Sequence, residues 1–394
     1  MRITIDASSL SHPERTGIGR CLESILPHLA RMARGRDALL LLSGKPLVNR
    51  IALDVLAAGD AQARTVDVPS LYAWQQTGMA WQIRRAHADV HYAPDGLLPL
   101  GFFGRSVGVV NDVLYKRLPY TLPRHIRAVF ALRQKASLKR LTLALTLSAF
   151  TRRELMRVYG PMACRVRPTD LCAVDHERFF PATPEDAAAL AAFRARHGLD
   201  AGYILCVGNL MAHKNLGVAL RALARLNAAA PGHSWQLALV GHGDPAAVAG
   251  LLPAGADPGQ VRCLGYLSDA DVGLAYRGAG AFVFPSRYEG FGLPVLEAMA
   301  SGVPVAYADA ASLPEAAGIA GLPFPADDDA ALAAILIRLR QDNDLRERQI
   351  ALGRDRASDF SWEACAAHVY AALHEASGEM PPHAFAPKNH GLAG

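Results

Sequence analysis

The stretch Arg287-Tyr288-Glu289-Gly290-Phe291-Gly292-Leu293-Pro294-Val295-Leu296-Glu297 places two carboxylates eight residues apart. It follows the apolar run Ala281–Phe284, which predicts a buried parallel strand, and Pro294 suits the first turn of a helix. We therefore expect Glu289 in the turn between strand and helix, and Glu297 one turn into the helix.

Carboxylates beside the free N–H groups of a helix start can bind the hydroxyls of a sugar or a ribose. A lone acid at this place would more simply complement the helix macrodipole. Here two acids accompany Gly290 and Gly292. This combination favours a ligand site and indicates sugar chemistry.

Further short segments in both halves of the chain resemble those of one known protein family. In the second half they are residues 203–210 with His213-Lys214-Asn215, Val240-Gly241-His242-Gly243, residues 264–269, Ser301-Gly302-Val303-Pro304-Val305 and Ser312-Leu313-Pro314-Glu315; in the first half they are Gly17-Ile18-Gly19-Arg20, residues 146–152 and residues 178–181.

Together with the Glu-x7-Glu signature, these segments resemble the family 4 retaining glycosyltransferases over most of the chain. The resemblance implies the GT-B fold, in which two facing Rossmann-like parallel-sheet domains enclose an interdomain cleft. The form Gly-Asn-Leu-x-x-His-Lys-Asn with Gly-Ile-Gly-Arg is similar to the mannosyltransferase subgroup that builds bacterial O-antigens and exopolysaccharides.

Length and element order independently predict an α/β protein with two parallel sheets. The 394 residues exceed what one hydrophobic core usually organises, and strand and helix patterns alternate. We expect strands at residues 2–7, 39–42, 107–110 and 144–147, then at 204–207, 236–240, 281–284 and 303–306, with helices near 214–227, 269–279 and 293–301.

The proline-marked polar segment 181–186 predicts the linker, so we expect an N-terminal domain over 1–182 and a C-terminal domain over 183–361. Ser361 suits the N-cap of a helix over 362–377, which in the resembled family rejoins the N-terminal domain. Residues 378–394 contain three prolines and predict a loose tail. The resemblance assigns acceptor binding to the first domain and nucleotide-sugar binding to the second.

Ligands of open α/β sheets bind outside the carboxyl ends of the strands, which places the sites in the cleft. Lys214 follows strand 204–207 and can neutralise a nucleotide diphosphate. The alternative, a surface lysine at a helix start, is less favoured because such a cation opposes the macrodipole unless an anion lies nearby.

The resemblance implies that Glu297 holds the ribose, and that Glu289 with the backbone of Phe291, Gly292 and Leu293 holds the donor sugar. The further donor-binding residues that it implies are Gly17, Gly19, Asn209, Lys214, Gly241, Tyr266 and Leu267.

Gly17-Ile18-Gly19 does not fit a dinucleotide fingerprint, because Leu22 occupies the third glycine position and the loop after the first strand is long. Two interpretations remain. One is a glycine loop that approaches a phosphate or sugar before a helix N-terminus, and the other is an ordinary flexible loop.

Two positions depart from the resembled family. Asn209 stands where many members carry a basic residue, so Lys214 would bear more of the diphosphate charge. Asn111-Asp112 stands where the family commonly has His-Asp, and Asn111 can hydrogen-bond but cannot titrate near neutrality. Either the site works by positioning and electrostatics, or Asp112 or a histidine such as His91 compensates.

The resulting catalytic candidates are Glu289, Lys214, Asn111 and Asp112. An oxocarbenium-like transition state would be stabilised by Lys214 and helix N-termini as the diphosphate departs. No Asp-x-Asp motif ends a predicted strand, and Asp327-Asp328-Asp329 predicts an N-cap cluster, so we expect no obligatory metal and no other cofactor.

Positive charge is concentrated between Arg105 and Arg167. This segment contains 14 Lys or Arg and two acidic residues, which gives it a net charge of +12 within a chain of net charge +5. This sector predicts contact with anionic lipid headgroups or with a lipid diphosphate acceptor, or else a solvated basic helix face. No DNA-binding motif accompanies the charge, so nucleic acid is not an expected partner. The apolar neighbours are Leu114, Leu118, Ile126, Val129, Phe130 and Leu132.

Six scattered cysteines without a Cys-x-x-Cys pair favour a reducing compartment. The chain opens with an alternating strand pattern rather than a signal peptide, and no apolar run reaches about 18 residues. We therefore expect a cytoplasmic protein, peripheral to the cytoplasmic face of the inner membrane where the basic sector binds lipid.

The function that the resemblance implies is transfer of a sugar from a nucleotide sugar to an acceptor hydroxyl with retention of configuration. GDP-mannose is the favoured donor, with UDP-sugars and other GDP-sugars open, and the acceptor would be a glycan on polyprenyl diphosphate or a lipid A core. A hydrolysing epimerase and a catalytically silent paralogue that binds a nucleotide sugar are the alternatives.

Overall fold

The computed structural model describes residues 1–12, 17–68, 70, 73–118, 123–160, 166–168, 171–229 and 235–379. The chain forms two compact units. The first unit is Met1–Cys172 with Ser361–Gly394, and the second unit is Ala173–Phe360. The described part of each unit contains one all-parallel sheet with helices, which is the predicted Rossmann-like organisation.

The first sheet has the strand order β3-β2-β1-β4-β5-β6-β7. Its central strands are buried along nearly their whole length, as expected for parallel strands covered on both faces. The strands are β1 Arg2–Asp6, β2 Ala38–Ser43, β3 Gln62–Thr65, β4 Val90–Ala93, β5 Ser106–Val110, β6 Leu143–Thr146 and β7 Val166–Pro168.

The last helix of this unit begins where the sequence predicts, because the Ser361 side chain accepts a hydrogen bond from the Ala364 N–H at 3.2 Å. It packs against α1. The helices are α1 Gly17–Ala33, α2 Arg50–Ala57, α3 Met79–Arg85, α4 Leu114–Arg117, α5 Arg124–Leu138, α6 Ala149–Tyr159 and, after the second unit, α15 Trp362–Ser377, with a π-helical turn at Trp74–Gly78.

The second sheet has the strand order β10-β9-β8-β11-β12-β13. Its strands are β8 Ile204–Val207, β9 Leu237–Val240, β10 Val261–Gly265, β11 Ala281–Phe284, β12 Val305–Ala308 and β13 Leu322–Phe324. Its helices are α7 Ala187–His197, α8 Leu216–Ala229, α9 Pro245–Ala249, α10 Asp269–Arg277, α11 Leu293–Ala300, α12 Leu313–Ala317, α13 Asp329–Gln341 and α14 Asn343–Ser358.

The predicted strands all exist, with ends displaced by up to two residues, and the strand predicted from residue 303 begins at Val305. The sequence did not indicate β3, β4, β7, β10 or β13. Most of these are edge strands of three to five residues, and β3 reads Gln-Ala-Arg-Thr with no buried residue. Short polar edges lack the apolar run on which strand prediction depends.

Residues 173–182 belong to the second unit, so the boundary lies ahead of the segment 181–186 that we expected as the linker. The Arg178 guanidinium donates to Asp269 at 3.1 Å, and the Arg277 guanidinium lies 4.2 Å from the Phe180 ring centre. These contacts hold the segment on α10 despite its polar, proline-marked sequence.

None of the helices in the described ranges is long and apolar enough to cross a membrane. Residues 380–394, where we expect a loose tail, lie outside the described residues, as do residues 13–16 that precede α1.

Candidate active site

The predicted donor-site residues of the second unit follow four adjacent strands, β10, β9, β8 and β11. Since the strands are parallel, their carboxyl ends meet at one edge of the sheet. Gly208 and Gly241 have φ angles of +142° and +141°, and a Cβ on Gly241 would lie 2.3 Å from the Gly208 carbonyl oxygen. Only glycine permits this close approach of the two turns.

Lys214 and Glu289 form an ion pair at this edge, with 2.6 Å between Nζ and Oε1. The ammonium also lies 5.1 Å from the centre of the Phe284 ring. Both charged side chains are mostly buried, with 18% and 16% of their surface exposed. The lysine is therefore held in place by an anion and an aromatic face rather than extended into solvent.

The backbone around Glu289 is fixed by the buried hydroxyl of Ser312, which lies 2.9 Å from both the Glu289 and the Phe291 carbonyl oxygens. Gly292 precedes α11 with φ +115°, and a Cβ there would lie 2.7 Å from the Leu313 side chain. Phe291 is buried against Phe360, with 5.6 Å between ring centres. Leu293 begins α11.

Glu297 lies in the second turn of α11 and accepts a hydrogen bond from the Tyr276 hydroxyl at 2.7 Å. The Tyr276 side chain is fully buried, while Glu297 is half-buried. The sequence gave no indication of this tyrosine, because it lies on α10 and meets Glu297 only through the packing of two helices on the sheet.

Tyr266 follows β10 and has 57% of its surface exposed. Its ring stacks on His242, with 5.1 Å between ring centres and 21° between planes. The side-chain oxygen of Asn209 accepts from the His242 N–H at 3.3 Å, which joins the turns after β8 and β9. The next residue, Leu267, is buried.

His213 is a buried neighbour of Lys214 that the sequence analysis assigned no role. Its carbonyl accepts from the Arg287 N–H at 2.9 Å and so connects the turns after β8 and β11. Burial lowers the pKa of His213, the Lys214 ammonium lowers it further, and the Glu289 carboxylate opposes the shift. The imidazole is therefore expected to be neutral at physiological pH.

The remaining predicted residues lie in the first unit. Gly17 and Gly19 are in the first turn of α1, which corrects both loop interpretations of this segment, while their role in donor binding stays a prediction. Asn111 and Asp112 follow β5, and the Asp112 carboxylate accepts from the Leu114 N–H at 2.9 Å at the start of α4. This capping contact is possible because α4 begins two residues after the aspartate.

His91 is not a replacement for the missing histidine. It is fully buried on β4, with Nδ1 3.1 Å from the Thr4 hydroxyl and its ring edge against Phe102. Burial lowers the pKa of His91 to about 3. A group that stays neutral at physiological pH and has no solvent contact cannot relay protons to a substrate.

Two carboxyl groups, Asp6 and Asp95, lie at the carboxyl ends of the neighbouring strands β1 and β4. Burial raises the pKa of both groups, and the charge of Asp6 contributes to raising the pKa of Asp95 to about 7. The Arg133 guanidinium of α5 opposes both shifts. This edge of the first sheet therefore holds a proton near neutrality.

The aspartates 327–329 have structural roles: the Asp328 side chain accepts from the Ala331 N–H at 2.8 Å as the N-cap of α13, and Asp329 accepts from Arg221 at 3.0 Å. Within the described ranges, no group of three or more His, Cys, Asp or Glu side chains is arranged to hold a metal ion.

Comparison with known proteins identifies the family of the chain. A family model for "Glycosyl transferases group 1" matches residues 201–342. The O-antigen chain mannosyltransferase B of Escherichia coli is 30% identical over 380 residues, which cover 93% of this chain and 97% of that protein. The phosphatidyl-myo-inositol mannosyltransferase of Mycobacterium leprae is 34% identical over 137 residues, about a third of each chain.

Two solved structures share the fold at lower identity. WaaG, a glycosyltransferase involved in lipopolysaccharide biosynthesis, superposes with a TM-score of 0.69 at 18% identity, over 95% of this chain and 99% of that chain. Anabaena Alr3699/HepE, solved with UDP and glucose, gives a TM-score of 0.69 at 19% identity, over 95% and 100%.

The two Rossmann-like units match the fold of these glycosyltransferase structures. The chain belongs to the group 1 glycosyltransferases and has the GT-B fold. The predicted family resemblance and fold class are confirmed, and the protein is a glycosyltransferase.

Proposed function

We propose that the chain transfers mannose from GDP-mannose to a hydroxyl of a lipid-linked or polysaccharide acceptor during synthesis of a bacterial surface glycan, with retention of configuration. The observation that carries this proposal is the relation to the O-antigen chain mannosyltransferase B over 93% of the chain. In this proposal the second unit binds the nucleotide sugar and the first unit binds the acceptor.

Lys214 is the group that we expect to act on the leaving diphosphate. The ammonium is already held at the sheet edge by Glu289 and Phe284. As the bond between the sugar C1 and the diphosphate oxygen breaks, negative charge grows on the leaving group, and the ammonium stabilises it more than the ground state. The acceptor oxygen then bonds to C1, and its proton passes to the departing diphosphate oxygen, so that the glycoside and GDP are the products. In this scheme the ammonium supplies the charge, and no metal ion is required.

We expect Glu289 to accept hydrogen bonds first from Lys214 and then, once the donor is bound, from the sugar hydroxyls. In the structure its carboxylate accepts from Lys214, and the Ser312 hydroxyl fixes its backbone. A donor diphosphate competes with this carboxylate for the ammonium, which frees acceptor capacity on Glu289 for the hydroxyls of the sugar. Glu297 would accept from the ribose, and the exposed stack of Tyr266 on His242 would support the base.

A UDP-sugar is the second candidate donor, because Anabaena Alr3699/HepE has been solved with UDP and glucose on the same fold. Side chains such as the Tyr266 ring can stack on either a purine or a pyrimidine. The choice of base must therefore be measured.

The basic sector supports a peripheral contact with anionic lipid through α5. Ile126, Val129 and Leu132 recur every third residue, so they share one stripe of the helix, and they are 46%, 51% and 69% exposed. Exposed Arg124, Lys135 and Lys139 accompany the stripe. We propose that this stripe lies on the cytoplasmic face of the inner membrane, where a lipid-linked acceptor is found.

Other basic residues of the sector are engaged within the protein. Arg157 pairs with the buried Glu154 at 2.7 Å, and Arg117 donates to the same carboxylate at 2.7 Å. Arg140 donates to the carbonyls of Leu100 and Phe102 at 2.8 and 3.0 Å. These contacts leave α5 as the part of the sector best suited to lipid.

The test is isothermal titration of the purified protein with GDP, GDP-mannose, UDP and UDP-glucose, repeated with Glu297→Ala and Lys214→Ala. Arg221→Ala is the matched control, because its partner Asp329 lies at the start of α13 and not at the proposed site. We expect the GDP ligands to bind tightest and both site variants to weaken them at least about tenfold. Tighter binding of the UDP ligands would assign a UDP-sugar as the donor instead of GDP-mannose. No binding of any nucleotide would contradict the proposal.

A further inference from the structure

The hydrogen bond from Tyr276 to Glu297 joins a fully buried phenol to the half-buried carboxylate proposed to bind ribose. Glutamate has three rotatable side-chain bonds, so an unsupported Glu297 on α11 would sample several positions. A hydrogen bond to a carboxylate is among the stronger kinds in proteins, and it fixes one of the two oxygens. The carboxylate orientation therefore depends on where the phenol is held.

The Tyr276 ring is itself fixed by aromatic contacts on two sides. Phe179 meets it edge-on with 5.4 Å between ring centres, and Phe282 of β11 packs at 5.5 Å. Phe282 lies at the centre of the sheet, and Phe179 belongs to the segment held on α10 by Arg178 and Arg277. The hydroxyl therefore points from a rigid part of the core towards Glu297.

A carboxylate can accept about four hydrogen bonds, so the bond from Tyr276 is compatible with further bonds from the ribose hydroxyls. Preorientation lowers the entropy lost when a ligand binds, and it sharpens discrimination against a ligand that lacks the matching hydroxyl.

We infer that Tyr276 is a positioning residue for donor recognition, whose hydroxyl orients Glu297 so that the enzyme selects ribonucleotide over deoxyribonucleotide donors. This inference rests on the proposed role of Glu297 and adds to it the residue that makes that role selective.

The experiment compares the binding of GDP, 2′-deoxy-GDP and 3′-deoxy-GDP to the wild type, Tyr276→Phe and Tyr203→Phe by isothermal titration. Tyr203 is the matched control, because it is a buried tyrosine whose hydroxyl donates to the Ala275 carbonyl of the same helix at 2.6 Å. Both variants remove the hydroxyl of a buried tyrosine, but only Tyr276→Phe loses the contact with Glu297.

For the wild type we expect at least one deoxy analogue to bind about tenfold more weakly than GDP. Tyr276→Phe should weaken GDP about fivefold while leaving that analogue nearly unchanged, so that the preference for ribose falls to about twofold. Tyr203→Phe should retain the wild-type preference.

Equal weakening of GDP and both analogues by Tyr276→Phe would overturn the inference while leaving the proposed function intact, because the hydroxyl would then act only through the fold. A wild type that binds GDP without preferring ribose would do the same. A wild type that binds no nucleotide would overturn the proposed function and this inference with it.

A double mutant tests whether Tyr276 acts through Glu297. If Tyr276 acts through Glu297, adding Tyr276→Phe to Glu297→Ala should change GDP affinity less than about twofold, since the carboxylate that it orients is already gone. A full fivefold loss in that background would contradict the inference.

Discussion

The carboxyl edges of the two sheets are built in opposite ways. At the edge of the second sheet, the predicted residues lie in short motifs, and the charges of Lys214 and Glu289 are paired and partly exposed. At the edge of the first sheet, the titratable groups Asp6 and Asp95 follow two different strands and share burial and the charge of Arg133.

The difference shows which kind of site a sequence can reveal. A strand, the turn after it and the next helix are contiguous in sequence. A site built from such turns can therefore be recognised from short sequence motifs. Groups that meet through packing, such as Asp6 on β1, Asp95 after β4 and Arg133 on α5, leave no motif. The predictions below test whether the first kind of edge carries the donor chemistry and the second kind carries the acceptor side.

The largest effect is expected from Lys214→Ala, which removes the cation at the leaving diphosphate and leaves Glu289 without this partner. We expect the transfer rate to fall by about 10²- to 10³-fold, as for loss of one preorganised electrostatic group. Release of GDP from GDP-mannose with a glycan acceptor is the measurement. Lys45→Ala, which breaks the exposed pair with Asp67 in the first unit, should keep full activity; comparable activity in both variants would argue against the role of Lys214.

Ser312→Ala tests the support of the donor edge. The buried Ser312 hydroxyl lies within hydrogen-bond distance of the Glu289 and Phe291 carbonyl oxygens. Its loss should therefore destabilise the protein by about 1 to 3 kcal/mol and slow transfer. Ser301→Ala is the control, because the Ser301 hydroxyl is equally buried and has no hydrogen-bond partner among the described residues. Denaturant unfolding with both variants is the measurement, and equal midpoints would show that Ser312 does not fix the turn.

Leu132→Asp addresses the acceptor side by placing a negative charge in the exposed stripe of α5. Binding to vesicles that contain anionic lipid should weaken about tenfold, because apolar contact is lost and the surface potential now repels the side chain. Nucleotide affinity should not change. Leu53→Asp on α2 provides an exposed leucine of the same unit as the control; if both variants bind vesicles alike, α5 is not the lipid contact.

The smallest effect concerns the pH dependence of stability at the first edge. The pKa of Asp95 is raised from an ordinary value near 3.8 to about 7, so between these values the folded protein holds a proton that the unfolded chain releases. The contribution of Asp95 to stability therefore falls as pH rises through this window. Asp95→Asn, which mimics the protonated form and cannot ionise, should gain stability relative to the wild type as the pH rises from 5 to 8.

Thermal unfolding of Asp95→Asn and the wild type across this pH range is the measurement, with Asp67→Asn as the exposed control. A Tm difference that stays constant with pH would mean that Asp95 is ionised throughout, and that the first edge holds no proton near neutrality.

The sequence predicted the class of fold and the donor-edge motifs because both depend on local patterns. Continuous apolar runs marked strands such as Ile204–Val207 and Ala281–Phe284, and glycine with proline marked the turn before α11. The resemblance then placed Lys214 and Glu289 in one site, although they lie 75 residues apart, and the structure pairs them.

The rest depended on tertiary contacts. Tyr276 and Ser312 reach the donor edge from other elements, so no spacing connects them to the glutamates. The sequence suggests His91 as a replacement for the histidine that the resembled family has at position 111, yet His91 lies on a central strand and is fully buried. The sequence predicts the linker at residues 181–186, but the second unit begins at Ala173. Its first residues pack through Phe179 and Phe180 on Tyr276 and Arg277, and the polar, proline-marked sequence does not reveal these contacts.

The measurement that tests the central claim most directly is hydrogen-deuterium exchange of the protein with and without saturating GDP. The account predicts slowed exchange in the turns of the second unit, at residues 208–216, 241–243, 265–267 and 286–297, with the first unit little changed. Protection confined to the first unit, around residues 111–118, would contradict the assignment of the donor nucleotide to the second sheet.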